Sequence, residues 1–319
     1  MNKTIIKMGI RTLNSFLKEN CKKCITTIHL QDLTNKKIVV DTSIYLYRFE
    51  SSDTLIENFY LLLMLFKSFN ITPMFIFDGK IPDSKRDLLK KRKKEKIEAM
   101  GKYNELKDIV EKIGYSKELN KNMELFRKKM VTMNSDKINK VKLLLTLFGS
   151  CFLDAEGEAD VLCADFVRQG KVYACLSDDM DMFAYNCPRI LRYLSLLNQS
   201  LIMYDMKSIY NTLDIVDKDM TILCILSGTD YNINDIEKEK TFHFWYNEYV
   251  LYNKQNVDLC FIDWLVSQGH LINIKNVEEI QKIFLTSINL SDIDTNDIKN
   301  GITMENELEK LLEDDGFIF

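Results

Sequence analysis

The sequence is poor in the residues that break chains into loose pieces, with three prolines and eleven glycines among 319 residues. Long flexible linkers are therefore not expected. It has no apolar run of 18 residues or more; the longest candidate lies near Tyr60–Phe66. That is too short to span a bilayer, so no membrane association is expected. The opening Met1-Asn2-Lys3-Thr4 lacks the apolar core of a signal peptide. Eight cysteines are scattered without a disulfide-framework pattern. Without an export signal, they are expected to be reduced thiols in a soluble intracellular protein. Cys21 and Cys24 form one CxxC, but no second pair follows at zinc-finger spacing, so zinc is not expected. Cys151, Cys163 and Cys175 are expected to act as small buried hydrophobes. No internal repeat is evident.

Charge of one sign is also lacking overall, since the formal net charge is only -4. Its distribution is uneven. Lys80 to Lys96 carries nine Lys/Arg against Asp83, Asp87 and Glu95, and Lys121 to Lys142 carries seven against two. Ser291–Phe319 reverses this, with nine acids and two lysines. Such asymmetry suits a basic, substrate-facing element beside an acidic site and an acidic tail.

Hydrophobic periodicity predicts short helices at Leu13–Asn20 and Ser43–Phe49, and a strongly apolar helix at Leu55–Phe69. Strands are predicted at Lys37–Val40, Thr72–Phe77, Ser150–Leu153, Lys171–Leu176, Ile190–Leu194 and Leu201–Tyr204. Ser84–Lys112 reads as a long charged helix and Asn122–Lys129 as a second charged segment. Asp136–Phe148, stopped by Gly149, and Ala159–Gln169, closed by Gly170, read as helices, as does Asp217–Leu226. This alternation predicts an α/β fold: a central, mostly parallel sheet with helices on both faces.

Asp41, Asp78, Glu158, Asp160, Asp179, Asp181 and Asp230 form the acid set that could carry chemistry. Most fall at predicted strand ends or helix starts along one sheet edge, where open α/β sheets place ligands. Carboxylates packed together raise each other's pKa unless cations sit between them. Hard divalent ions such as Mg²⁺ favour carboxylate oxygens. Two such ions can activate a water and stabilise the leaving oxygen of a phosphodiester.

Met8-Gly9-Ile10, Val39-Val40-Asp41, Phe75-Ile76-Phe77-Asp78-Gly79-Lys80, Leu153-Asp154-Ala155 with Glu158 and Asp160, Gly170-Lys171-Val172-Tyr173-Ala174, Asp179-Met180-Asp181 and Leu226-Ser227-Gly228-Thr229-Asp230-Tyr231 occur in this order. In these segments the chain resembles the flap endonuclease/XPG-like 5′ nucleases. The resemblance runs from about residue 8 to 231. It implies a PIN-like 5′-nuclease fold over 1–231, with a basic helical arch at about 80–135. It also implies two Mg²⁺ ions, with Mn²⁺ able to substitute. Glu158, Asp160 and Asp78 would hold one ion, with Asp41 nearby through water, and Asp179, Asp181 and Asp230 the other. Lys85 and Arg92 match the positions that steer the scissile phosphate, and Lys128 and Lys129 fall in the same basic arch region as DNA contacts. Tyr47 matches a tyrosine on which a base stacks; read from the residues alone, it is equally a core aromatic. Gly9 matches a glycine at which DNA approaches closely, behind an extension, Met1–Lys7, that the family usually lacks.

Two departures stand out. Position 160 is Asp where the family's cellular members usually have Glu. After Asp230 the family's glycine-rich, potassium-assisted duplex grip is replaced by Asn232 to Lys240, with no glycine. Residues 232–319 are expected to be a divergent helical region, in which Thr241–Tyr252 is helix core, followed by the acidic tail. No sliding-clamp motif is present, and Gly316-Phe317-Ile318-Phe319 could dock a replication or recombination protein. The expected activity is metal-dependent cleavage of DNA at 5′ flaps, ends or nicks. A non-cutting DNA-binding scaffold and an RNA nuclease are the alternatives.

Overall fold

The computed structural model describes residues 10–80, 82, 85–114, 116–232, 240–270 and 272–317. Seven strands form one sheet: β1 (Ile25–His29), β2 (Lys37–Asp41), β3 (Thr72–Phe77), β4 (Cys151–Asp154), β5 (Ala174–Leu176), β6 (Arg189–Ser195) and β7 (Ser200–Asp205). Their order is β1-β7-β6-β5-β2-β3-β4. Strands β4, β3, β2, β5 and β6 run parallel, while β7 and β1 complete one side antiparallel. From β2 the chain moves to β3 and β4 on one side, then returns to β5 on the other. The switch point lies at the carboxyl ends of β2 and β5.

The first helices are α1 (Leu13–Asn20), α2 (Thr42–Glu50), α3 (Leu55–Ser68), α4 (Arg86–Ile113) and α5 (Lys117–Lys129). Then come α6 (Ser135–Phe148), α7 (Ala159–Arg168), α8 (Asp181–Ala184), α9 (Met206–Leu213) and α10 (Asp217–Ser227). The series ends with α11 (Phe242–Gln255), α12 (Phe261–Ser267), α13 (Ile274–Leu285) and α14 (Glu305–Asp314). No helix among the described residues is long and apolar enough to cross a membrane.

Side chains alternate across a strand, so β2 feeds two cores. Val39 joins a core with Ile76, Cys175, Phe183 and Phe284, whereas Ile38 and Val40 join one with Phe59, Phe75, Leu144 and Leu312. Helices α1, α7 and α10–α13 build the first core, and α2, α3, α6 and α14 the second. Residues 240–317 thus contribute to both. Phe242, Trp245 and Tyr249 of α11 are buried, as expected of helix core.

Helices α4 and α5 pack on each other and stand away from both cores. At 28 residues, α4 is about 42 Å long. Helix α5 buries no residue, and the Ser116 hydroxyl caps it by accepting the Leu119 N–H at 3.1 Å. Helix α6 begins with the Asn134 side chain accepting the Lys137 N–H and ends at Gly149, whose φ of +81° suits glycine.

Several boundaries differ from the sequence expectation. The strand expected at Lys171–Leu176 shortens to β5, because the N–H groups of Lys171 and Val172 still bond the Phe166 carbonyl, closing α7. Strand β1, half exposed at the sheet edge, and helices α8 and α9 had no sequence expectation, while α12–α14 were expected only as part of a helical region without individual bounds. Cys163 and Cys175 are buried, but Cys151 is only half-buried, and its thiol reaches the Lys299 carbonyl at 3.0 Å.

That contact belongs to a strap, residues 286–304, crossing the amino ends of the parallel strands. Asp165, buried in α7, accepts the Ile288 N–H at 2.7 Å and the Ser287 hydroxyl at 3.1 Å. The Gly301 N–H then bonds the Gly149 carbonyl at 2.6 Å, so close that a Cβ on Gly149 would lie 2.7 Å from the Gly301 carbonyl carbon. Helix α14 follows on α6, burying Leu308 and Leu312, and Phe317 packs edge-on against Tyr60 at 5.9 Å. The acidic tail is folded onto the domain as far as Phe317; Ile318 and Phe319 lie outside the described residues.

Candidate active site

The carboxyl edge of the sheet gathers the expected acids. Asp41 ends β2 and Asp78 follows β3. Glu158 precedes α7 and Asp160 lies in its first turn. Asp179 follows β5, Asp181 opens α8, and Asp230 sits just beyond α10. Asp41 and Asp181 are buried, Glu158, Asp160, Asp179 and Asp230 are partly buried, and Asp78 faces solvent.

A network of short polar contacts fixes this edge. Asp78 accepts the Ala159 N–H at 2.8 Å, and so caps α7, while the Ser43 hydroxyl donates to its other oxygen. Gly79 lies where the loops after β3 and β4 meet, its N–H bonding the Gly157 carbonyl at 2.7 Å. A Cβ there would fall 1.9 Å from the Ala155 carbonyl oxygen, so the docked loops require glycine after Asp78. The Ser177 hydroxyl donates to Asp41 at 2.8 Å and accepts the Asp179 N–H at 3.1 Å; Asp179 in turn accepts the Asp181 N–H at 2.8 Å. Buried Asn232 accepts both the N–H and the hydroxyl of Thr229, at 2.8 and 2.9 Å, which closes the turn carrying Asp230.

Burial and mutual repulsion dominate the electrostatics. The Asp41 carboxyl is pushed up to about 8, by burial first and then by the charge of Asp78. Asp160 and Asp181 are held well above the ordinary carboxylate range and Asp179 above it, each by burial first and then by neighbouring acids of the set. Two cations answer. Lys85, 7% exposed, has its ammonium 2.5 Å from Glu158 Oε1 and 3.9 Å from Asp230 Oδ2. Burial works against that charge, but Tyr231, Asp160, Glu158 and Asp181 outweigh it and raise its pKa. Arg92, two turns into α4, reaches Asp230 Oδ2 at 3.1 Å. Lys85 was expected inside the long charged helix; it lies instead at the position just before α4. A cleft of about 90 Å³ opens between Lys85, Arg92, Asp78 and Glu158.

The other expected contacts lie apart from this cluster. Tyr47 is 50% exposed on α2, which removes the core-aromatic alternative, whereas Tyr45 is fully buried. Lys128 pairs with Glu124 at 3.0 Å and Lys129 stands 5.9 Å from the Phe126 ring, both within α5. Gly9 and residues 233–239 lie outside the described residues.

Three residues without an assigned role in the sequence reading hold the site. Tyr231 donates its hydroxyl to Glu158 Oε2. Asp178 bridges α2 and β6, pairing with Arg48 at 2.8 Å and accepting the Tyr193 N–H at 2.6 Å. Arg192, 3% exposed, reaches the Asp178 carbonyl. A lone arginine within the apolar strand Ile190–Leu194 was the available signal for the last.

The donor set fits a hard divalent cation. Among the described residues, both carboxylate oxygens of buried Asp181 have no hydrogen-bond partner, a costly state for a charged group unless a cation answers it. Among the described residues, no three His, Cys, Asp or Glu side chains are drawn together as a ready-made ion cage. Lys85, Ser43, Ser177 and Tyr231 already engage oxygens of Glu158, Asp78 and Asp41.

Comparison with known proteins agrees with this arrangement. The XPG N-terminal domain matches residues 8–99 and the XPG I-region residues 149–230, together more than half of the chain. Flap endonuclease 1 of Lodderomyces elongisporus is 30% identical over 244 residues, covering 70% of this chain and 61% of that protein. The enzyme of Methanococcus aeolicus is 28% identical over 331 residues, covering 97% of this chain and 91% of its own. The chain spans about three fifths of the length of several of these relatives. The catalytic core of Rad2 in complex with DNA substrate superposes with a TM-score of 0.65 at 20% identity, covering 97% of this chain and 95% of that one. Flap endonuclease-1 from Methanococcus jannaschii gives 0.64 at 22%, covering 91% and 90%. Both share the fold. With both XPG regions matched in order and their acids on one sheet edge, the chain belongs to the flap endonuclease/XPG-like nuclease family.

Proposed function

We propose that this protein is a divalent-metal-dependent, structure-specific 5′ nuclease that hydrolyses DNA phosphodiesters at flaps, ends or nicks in replication, repair or recombination. What supports the reading is that the seven carboxylates line one edge of the sheet, where Lys85 reaches Glu158 and Asp230 and Arg92 reaches Asp230 at the start of the basic helix α4. Glu158, Asp160 and Asp78, with Asp41 nearby, would hold one Mg²⁺, and Asp179, Asp181 and Asp230 a second. When bound, such ions polarise a phosphodiester, acidify water and stabilise a leaving oxygen.

The chain's own residues orient the reaction. Arg92 offers a planar fork that matches phosphate oxygens, and Lys85 a point charge at the same cleft. Ser177 links Asp41 to the Asp179 loop, so both flanks of the edge keep one register. Helices α4 and α5, with Lys128 and Lys129 on the latter, supply a basic span for a 5′ strand, and Tyr47 an exposed ring for base stacking.

Asp179→Ala is the direct test. Mg²⁺-dependent cleavage of a 5′-flap DNA should be lost while the circular-dichroism spectrum stays native. Undiminished cleavage would remove the metal-site reading. Flap, nicked, gapped and four-way-junction DNAs, beside a matched RNA flap, then define the substrate. Tight binding without turnover in Mg²⁺ or Mn²⁺ would instead indicate a scaffold.

A further inference from the structure

Glu158 is shared between two neighbouring residues, one at each carboxylate oxygen. The Lys85 ammonium takes Oε1 at 2.5 Å, and the Tyr231 hydroxyl takes Oε2. The same ammonium sits 4.7 Å over the Tyr231 ring, within reach of a cation–π attraction. The ring is itself fixed, by an edge contact to Phe284 at 5.4 Å and by its hydroxyl lying 3.0 Å from that of Tyr185. Tyr231 therefore builds a seat for Lys85: one acidic oxygen, one aromatic face and the Asp230 carboxylate 3.9 Å away.

We infer that Lys85 is a removable counter-ion of the carboxylate cluster, and that Tyr231 is the positioning residue that stores it against Glu158 until a divalent cation displaces it. The inference rests on the metal-site reading above. Glu158 and Asp230 are the two acids that Lys85 touches, and that reading needs one for each ion. An oxygen that accepts an ammonium at 2.5 Å cannot serve a cation equally well, so the two compete. The seat is reversible by construction. Lys85 precedes α4, and its four-carbon stem can swing without unwinding the helix. The cleft beside it, about 90 Å³, is where a phosphate would meet the released ammonium and Arg92. Metal loading then frees the charge that binds the substrate phosphate, which sets an order: cation first, productive phosphate contact second.

Mn²⁺ binding to the full chain without DNA, followed by calorimetry, tests this apart from catalysis. Lys85→Met removes the competitor and should tighten Mn²⁺ about tenfold, the scale of one charge-assisted hydrogen bond. Its melting temperature should fall in chelator and recover in saturating Mg²⁺. Tyr231→Leu, which removes the seat, should shift Mn²⁺ affinity the same way; Tyr231→Phe, which keeps the ring, should shift it less. Unchanged or weaker Mn²⁺ binding by Lys85→Met overturns the exchange. Equal effects of Tyr231→Phe and Tyr231→Leu overturn the ring's part in it. If Lys85→Met folds only with metal present, the counter-ion role is supported directly and Tyr231→Leu provides the affinity measurement. If neither wild type nor variants bind Mn²⁺, the metal-site reading falls, and the exchange with it.

Discussion

Arg192 Nη2 donates to the main-chain oxygen of Asp178 across 2.5 Å, from a side chain almost entirely buried. The guanidinium lies 4.8 Å from the Tyr193 ring centre and 5.8 Å from that of Phe183, and its Nε has no hydrogen-bond partner among the described residues. Beside it β6 bulges, with Tyr193 at a φ of +58°. Bulges beside active sites re-aim the backbone, and this one turns the Tyr193 N–H onto Asp178. Both contacts grip the loop that carries Asp179 and Asp181. Arg192→Met should destabilise the protein by about 1–3 kcal/mol, and raise the Mg²⁺ concentration needed for half-maximal cleavage more than the DNA KM. Arg192→Lys should restore part of both. Equal changes in the two parameters would make Arg192 an ordinary core residue.

Gly79 offers a steric test. The 1.9 Å approach of a Cβ to the Ala155 oxygen involves backbone on both sides, so neither loop can yield by a rotamer change. Gly79→Ala is expected to cost at least about 1–3 kcal/mol, the range of overpacked positions. It should also weaken metal binding, because Asp78 is the preceding residue. Denaturant unfolding and a Mn²⁺ titration would check the two effects, and a neutral outcome in both would contradict the docked-loop geometry.

The acids make stability pH-dependent when metal is absent. Asp41 rises from 3.8 to about 8 in the folded protein, by burial and then by Asp78. A folded-state pKa above the unfolded one means the native state holds the proton more tightly. Its stabilising contribution is full below about pH 4 and is lost as pH climbs through about 8. Asp160, Asp179 and Asp181 shift in the same direction. In chelator, the melting temperature should therefore fall from about pH 5 to about pH 8. Mg²⁺ should restore it most at the upper end, where cations replace the missing protons. A flat melting profile in chelator would count against this.

Tyr45 and Tyr47 are two residues apart on α2 but have opposite surroundings. Tyr45→Ala should cost about 3–5 kcal/mol, as for large core aromatics. Tyr47→Ala should change stability by no more than about 0.5 kcal/mol and lower cleavage of flap DNA. Melting curves and single-turnover rates separate the two. Comparable destabilisation by both would mean Tyr47 is a packing residue.

A similar contrast tests the fold's other end. Leu312, on α14, is buried in the second core, whereas Ile302, in the strap, is 90% exposed. Leu312→Ala should cost about 2–5 kcal/mol, while Ile302→Ala stays within about 0.5 kcal/mol. Urea unfolding of the two variants decides whether α14 is part of the core or a loosely attached tail.

The carboxyl edge was legible in the sequence because two of its central strands are apolar runs that stop at or just before an acid, at Phe77-Asp78 and Val40-Asp41. Lys85 was legible as a phosphate contact through the family resemblance, but not as a buried group. Within a stretch that holds nine basic residues, a lysine reads as solvated. Its burial depends on Glu158 and Tyr231, which no local pattern connects to it. Arg192 and Asp178 were hidden for the same reason, since their partners lie across the sheet. Strand β1 escaped because its alternation is weak and its pairing partner, β7, comes late in the chain.

The strap along the amino edge also bears on how fast the molecule can fold. Lys37 on β2 donates to the Thr295 carbonyl, a contact spanning 258 positions, and Gly149 meets Gly301 nearby. Closing so long a loop adds only slowly to the equilibrium cost, which grows with the logarithm of length. Its effect on rate is larger, because non-local pairings must be searched for before they are rewarded. The central strands can pair while α6 and β4 still lack their final cover. In refolding, the carboxylate edge should then gain native rigidity in a slow phase set by docking of the strap at the opposite end of the sheet.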